Sequence, residues 1–150
     1  MTNTNPHITS AEWEVMRVVW ANHSISSRQI IDLLTSILAW KEGTIKSLIN
    51  RLVQKGLLIK EENKRPSSYQ ASISELEALA SHVQLLFNQT CQRQRGQLLH
   101  TIIEQQELSQ ADCRLLIDQL NQKLDHAPER LACQCPVGQC HCHQHPNKEG

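Results

Sequence analysis

Apolar residues recur at helical spacing in three short segments of the first third of the chain. The positions, segment by segment, are Trp13, Met16, Val19 and Trp20; Ile30, Ile31, Leu34 and Leu38; and Ile45, Leu48, Ile49, Leu52 and Val53. Ser10 is the expected N-cap of the first helix, and Ser26 or Ser27 that of the second. The third helix is expected to begin at Gly43 and to end at Gly56, a residue suited to a left-handed stop.

Two short strands are predicted to follow these helices. They cover Leu57–Lys60 and Tyr69–Ala71, and the polar loop between them contains Pro66. Such runs joined by a polar loop are typical of a β-hairpin. Three helices followed by a hairpin is the order of a winged helix-turn-helix domain, predicted here for residues 1–72.

The next part of the chain, residues 73–127, is predicted to be helical. Ser74 is the expected cap of one helix, Gln92 to Gly96 the break after it, and Ser109 with Asp112 the start of the last helix. The apolar positions are Leu76, Leu79, Val83 and Leu86; Leu98, Leu99, Ile102 and Ile103; and Cys113, Leu116, Ile117, Leu120 and Leu124. The first set has the three-and-four spacing of a helix that packs on another helix, which favours a dimerisation region. The predicted fold is therefore mainly α with a small β-hairpin.

Charge is unevenly distributed along a chain of zero net charge. Residues 1–70 carry nine basic and six acidic side chains, and residues 41–65 carry seven and three. This excess of positive charge points to a polyanionic partner. Neither an apolar run of transmembrane length nor a signal peptide is evident, so a cytoplasmic protein without a membrane partner is expected. No plausible nucleophile, base and orienting group emerge, so an enzyme is not expected.

The third helix carries the candidate contacts to DNA. Its polar face is formed by Thr44, Lys46, Ser47, Asn50, Arg51 and Gln54. Such side chains hydrogen-bond phosphates or base edges in a major groove, and the first turns of a recognition helix favour Thr44, Ser47 and Arg51 for base contacts. Lys64 and Arg65 at the hairpin tip are candidates for phosphate contacts. The alternative is an ordinary solvated helix face.

Residues 128–150 form a tail rich in cysteine and histidine. Cys133, Cys135, Cys140 and Cys142 follow a C-x-C-x4-C-x-C pattern. Closely spaced thiolates suit soft or borderline metals: Zn(II) takes four in a tetrahedron, whereas Cu(I) accepts two or three and can share them in a cluster. The pattern predicts a site for Zn(II) or Cu(I). Disulfides are the alternative, which a reducing cytoplasm disfavours.

The other cysteines and histidines are mostly expected to have no role in metal binding. Cys91 is expected to be a free thiol and Cys113 a small core residue. His82 and His100 are expected to be structural. The histidines of the tail are either weakly metal-attracting and solvated or auxiliary zinc ligands; they are His141, His143 and His145.

Two stretches resemble a known family. The run from Ile8 to Trp20, and Trp40 together with Thr44–Leu58, are similar to the opening and the recognition helix of the penicillinase repressors BlaI and MecI. The cysteine tail resembles that of the CopY-type copper-responsive branch. The resemblance implies a homodimer on a palindromic operator before copper-export genes, with a copper chaperone as a candidate partner. It also implies that the zinc form holds DNA and that Cu(I) displaces zinc and releases the repressor.

Two other functions compete with this interpretation. A repressor of antibiotic resistance switched by proteolysis belongs to the same family, but that switch has no need of four thiolates. A copper buffer or chaperone would use the tail, but it leaves the winged-helix half unexplained. Operator binding that depends on the metal separates these possibilities.

Overall fold

The structure is a computed structural model that describes residues 7–144. The helices are α1 Ser10–Asn22, α2 Ser27–Leu38, α3 Glu42–Gln54, α4 Glu75–Asn88, α5 Arg95–Gln105 and α6 Gln110–Leu124. The strands are β1 Ile25–Ser26, β2 Leu58–Glu61 and β3 Ser68–Ala71. The predicted fold class is confirmed: helices dominate, and the hairpin is part of one small sheet. Across the described residues, every helix is too short or too polar to cross a membrane.

The sheet is antiparallel and has the strand order β1-β3-β2. Leu58 of β2 pairs with Ala71 of β3, and on the other side Ile25 of β1 pairs with Tyr69. The sequence predicted β2 and β3 but missed β1, because two residues are too few to show an alternating pattern. Strand β1, which lies between α1 and α2, thus joins the hairpin to these two helices.

The helix starts differ slightly from their predicted positions. Thr9, and not Ser10, is the N-cap of α1: its hydroxyl accepts a hydrogen bond from the backbone of Glu12, whose carboxylate accepts one from the backbone of Thr9. This reciprocal pair is a capping box. Helix α3 begins at Glu42, before Gly43, and its N-cap Lys41 makes no side-chain capping bond. Its stop at Gly56 is as predicted, with a φ of 75°.

The chain divides into two compact units, one as far as Val83 and one from Gln84 onwards. The core of the first unit combines α1, α2 and α3 with the strands and includes Met16, Ile30, Ile45 and Leu52. Leu38, predicted to lie on the buried stripe of α2, is on the surface, because the helix ends there with Ala39 in a left-handed conformation.

The second unit exposes much of its apolar surface. The exposed large side chains of α4, α5 and α6 include Leu85, Leu86, Leu98, Leu99, Ile102, Ile103, Leu115, Leu116, Ile117, Leu120 and Leu124. No residue of α5 or α6 is buried. Cys113 is therefore exposed, and its predicted place in a core is wrong: nothing in residues 7–144 buries its helix face.

Candidate metal centre and nucleic-acid interface

Five cysteines meet in the second unit. The sulfur atoms of Cys91, Cys133, Cys135 and Cys140 all lie within 4.8 Å of one another. The Sγ of Cys91 is 3.7 Å from that of Cys133 and 3.8 Å from that of Cys142, and Cys133 is 3.8 Å from Cys140. The structure thus brings the four cysteines of the tail together and adds one from a distant part of the chain.

Cys91 is a free thiol, as expected, but its sulfur lies beside the cysteines of the tail, which the sequence did not indicate. It follows α4 and begins a short 3-10 turn, in which its carbonyl accepts a hydrogen bond from the backbone of Gln94 at 2.9 Å. The guanidinium of Arg95 donates two hydrogen bonds to the carbonyl of Thr90, at 3.2 and 3.3 Å. These bonds fix the backbone on both sides of Cys91, whose side chain is buried against the tail.

The tail folds back through a tight turn between its two C-x-C arms. The backbone N–H of Gln139 donates to the carbonyl of Pro136 at 3.1 Å, and Gly138 has a φ of 92°. A left-handed glycine at the third position is what a type II turn requires. The N–H of Cys142 also donates to the sulfur of Cys140 at 3.4 Å, a contact within the second arm.

The thiols perturb one another electrostatically. A hydrogen bond from the backbone of Arg93 lowers the pKa of Cys91 to about 6, with further help from the thiols of Cys140 and Cys133. Burial raises the pKa of Cys135 to about 12, and the hydrogen bond to Cys140 raises that of Cys142 to about 12. Several thiolates packed so closely repel one another, and a bound cation is the natural means of removing that repulsion.

The spacing of the sulfurs fits a metal tetrathiolate. With zinc–sulfur bonds of about 2.3 Å, the sulfurs of a regular tetrahedron lie roughly 3.8 Å apart. Two separations within the group of four sulfurs, Cys91–Cys133 at 3.7 Å and Cys133–Cys140 at 3.8 Å, agree with that value. The cluster could therefore hold Zn(II) or a softer ion such as Cu(I). Of the tail histidines, His141 is exposed, whereas His145 and the side chain of His143 lie outside the described residues.

The predicted DNA face lies in the first unit and is exposed. Its members are Thr44, Lys46, Ser47, Asn50 and Arg51 on α3, with Lys64 and Arg65 in the loop between β2 and β3. The hydroxyl of Ser47 donates to the carbonyl of Gly43 at 3.0 Å, so its proton is already engaged in the helix. The apolar stripe of α3 is buried, which fixes this polar face towards solvent.

Acidic neighbours that the sequence analysis did not consider pair with two of the predicted basic contacts. Glu42 lies 2.7 Å from the ammonium of Lys46 and 3.4 Å from the guanidinium of Arg28. Glu61 lies 2.8 Å from the ammonium of Lys64. The helical spacing of Glu42 and Lys46, four residues apart, was a signal for the first pair. These carboxylates reduce the positive charge that the face offers to a polyanion.

A three-helix core, an exposed helix with basic side chains and a β-hairpin wing define a winged-helix DNA-binding protein. Residues 8–122 match the penicillinase repressor family, and the chain belongs to it. This BlaI/MecI/CopY family consists of DNA-binding transcriptional repressors and not of enzymes, and the chain is a repressor of this kind.

The chain is also similar to individual proteins. The chain is 44% identical to an uncharacterized 16.5 kDa protein of Latilactobacillus sakei, over 93% of this chain and 95% of that protein. It is 28% identical to the methicillin resistance regulatory protein MecI of Mammaliicoccus sciuri, over 82% of this chain and 100% of MecI. The solution structure of Bacillus licheniformis BlaI with the blaP half-operator is 35% identical, with a TM-score of 0.44 over 48% of this chain and 88% of BlaI.

Proposed function

We propose that this protein is a copper-responsive repressor. As a zinc-loaded homodimer it binds a palindromic operator, and it leaves the operator when Cu(I) takes the place of zinc at the cysteine cluster, so that copper-export genes are expressed. The observation that carries the proposal is the position of the tail. Cys133, Cys135, Cys140 and Cys142 lie beyond residue 122, where the family match ends, so this repressor adds a soft-metal site to the common fold.

Operator recognition is assigned to α3 and the hairpin. Thr44, Ser47 and Arg51 read base edges, while Lys46 and Asn50 approach the phosphates beside them. Lys64 and Arg65 hold the phosphate backbone at the wing. The exposure of all these side chains supports the assignment, since a contact residue has to be open to the groove.

Dimerisation is assigned to the apolar faces of α4, α5 and α6. Leu115 and Leu124 of α6 are 68% and 73% exposed in one chain, so most of the apolar surface of these side chains faces solvent. Large apolar side chains exposed along three successive helices are typical of a protein–protein interface. A second copy covers it with the same face, and the twofold symmetry of such a dimer matches a palindromic operator.

Metal response is assigned to the thiolates. The cluster supplies four sulfurs for one Zn(II), or shares its sulfurs among several Cu(I) ions, each with two or three. The two states differ in charge and in ligand geometry, and these differences alter the second unit, which contains the end of α4, α5 and α6. The protein works in the cytoplasm, where its thiols stay reduced, and a copper chaperone is the candidate donor of Cu(I).

A binding titration tests the proposal. Inverted-repeat DNA from upstream of the protein's own gene is titrated with the zinc-loaded full chain, and then Cu(I) is added with a reductant. We expect tight binding with zinc and release by Cu(I). Equal affinity in both states would leave a repressor that does not sense copper, and absence of binding in both states would favour a copper buffer.

A further inference from the structure

We infer that the zinc site is built from Cys91 together with Cys133, Cys135 and Cys140, and that Cys142 is a surplus thiol beside it. This inference rests on the proposed metal site, but it changes which cysteines are the ligands. The C-x-C-x4-C-x-C pattern by itself assigns all four ligands to the tail. In the structure one of the four comes from the junction between α4 and α5.

The distances select this set. Zinc in a structural site takes four ligands, so one of five neighbouring thiols has to be left out. Cys91 belongs to the group of sulfurs that lie within 4.8 Å of one another, a group that Cys142 does not join. Cys142 contacts Cys91 at 3.8 Å, and its N–H donates to the sulfur of Cys140. A backbone hydrogen bond to a ligand sulfur is a common outer contact of a metal site.

Cys91 is also the best-positioned of the five. It is 8% exposed, whereas the cysteines of the tail are half-buried. A second contact joins the same two segments, because the side-chain amide of Gln92 donates to the carbonyl of Ala132, next to Cys133. The 3-10 turn therefore holds one ligand in a fixed position. Less conformational entropy is lost when the metal binds, because only the tail ligands have to be ordered.

The inferred site joins residues 42 positions apart in the chain. Zinc bound to the tail alone would order only the tail. Zinc bound to Cys91 also ties the tail to the turn from which α5 starts, and α5 carries part of the proposed dimer face. This gives the metal a direct mechanical connection to the dimer, and Cys142 remains available as a fifth sulfur when several Cu(I) ions are shared.

Reciprocal serine variants test the inference. Co(II) is used as a spectroscopic stand-in for zinc, because its visible bands report tetrahedral geometry and its charge-transfer intensity reports the number of thiolates. Zinc affinity is measured in parallel by competition with a chromophoric chelator. We expect Cys142→Ser to keep four thiolates and wild-type zinc affinity. We expect Cys91→Ser to weaken zinc binding by about tenfold or more, since loss of an outer contact alone costs about 10–100-fold.

The opposite pattern overturns the inference: a thiolate lost in Cys142→Ser, or unchanged affinity in Cys91→Ser. Cys113→Ser is the matched control, because Cys113 is an exposed cysteine of the same unit outside the cluster. If Cys91→Ser does not fold, Cys142→Ser decides alone, since its wild-type spectrum requires a fourth sulfur from outside the remaining tail cysteines. Failure of the wild-type chain to bind Co(II) through thiolates would instead refute the proposed metal site as a whole.

Discussion

The ammonium of Lys55 lies 2.7 Å from the Oε2 atom of Glu12, and the carboxylate of Glu12 is almost completely buried. Lys55 follows the last residue of α3, and Glu12 lies in the first turn of α1. The same ammonium donates to the carbonyl of His7 at 2.8 Å. The start of α1 and the end of the proposed recognition helix are thus fixed to each other by one ion pair.

Removing the cation of this pair should destabilise the first unit. In Lys55→Met the buried carboxylate keeps its hydrogen bond from Thr9 but loses its counter-ion, which we expect to lower the free energy of unfolding by about 1–3 kcal/mol. Urea denaturation followed by circular dichroism measures this. Lys60→Met, at an exposed lysine of β2, is the control and should change stability little. Equal effects of the two substitutions would contradict the role of the pair.

Stability should depend on the protonation of Glu12. Burial opposes the charged form, but the hydrogen bond and charge of Lys55 and the backbone of Thr9 outweigh it, so the pKa of Glu12 lies below its ordinary value of 4.5. A lowered carboxyl pKa stabilises the fold above the ordinary value, and this contribution is lost as the pH falls through the folded-state pKa. The stability difference between wild type and Glu12→Gln should therefore shrink as the pH falls from 7 through this range. A difference that stays constant down to pH 3 would be inconsistent with the ion pair.

Neutralising Glu42 should strengthen operator binding. In Glu42→Gln, Lys46 and Arg28 lose their intramolecular partner and a negative charge leaves the DNA face. Exposed ion pairs contribute little because solvent and salt screen them, so an increase in operator affinity of only about 1.5- to 5-fold is expected, smaller at high salt. Fluorescence anisotropy with labelled operator, at two salt concentrations, measures it. Glu107→Gln removes a carboxylate from the second unit and serves as the charge-matched control.

Two substitutions should separate base contacts from phosphate contacts. Arg51→Ala should cost about 1–3 kcal/mol on the operator and reduce discrimination against mutated operators. Lys64→Ala should weaken binding to all sequences alike and lower the slope of log affinity against log salt by about 1. Competition titrations over several salt concentrations distinguish them. The assignment of Arg51 to base contacts is wrong if its loss affects operator and random DNA equally.

Charge on the apolar face of α6 should prevent dimerisation. Leu120 is 58% exposed in one chain, so Leu120→Asp can be accommodated in a monomer. In a dimer the substitution places a carboxylate inside the proposed interface, where burial of an unpaired charge is unfavourable. Sedimentation equilibrium should show a dimer for wild type and a monomer for the variant, with unchanged helical content. Val137→Asp alters an apolar residue that is exposed outside the helices, and it should remain dimeric.

The local sequence pattern was enough to predict the helices of the first unit, but it was not enough to predict which cysteines form the cluster. The spacing of Ile45, Leu48 and Ile49 predicts α3 because residues three and four positions apart lie on the same face of a helix. Cys91 could not be found in this way, since its partners are 42 to 51 positions away and only the folded chain brings them together. In the sequence Glu12 looks like an ordinary surface residue of α1, and its charge is tolerated in a buried position because Lys55, just beyond the end of α3, pairs with it.

The meeting of Cys91 with the tail also bears on how the proposed metal site could be transferred to another protein. If the cysteine tail were a self-contained module, its transfer to a tail-less repressor such as MecI would carry the metal site with it. A transplant of residues 128–150 would leave behind the sulfur of Cys91 and the 3-10 turn that holds it. If Cys91 is a zinc ligand, a working graft would need the recipient's junction between the helices that correspond to α4 and α5 to be rebuilt as well.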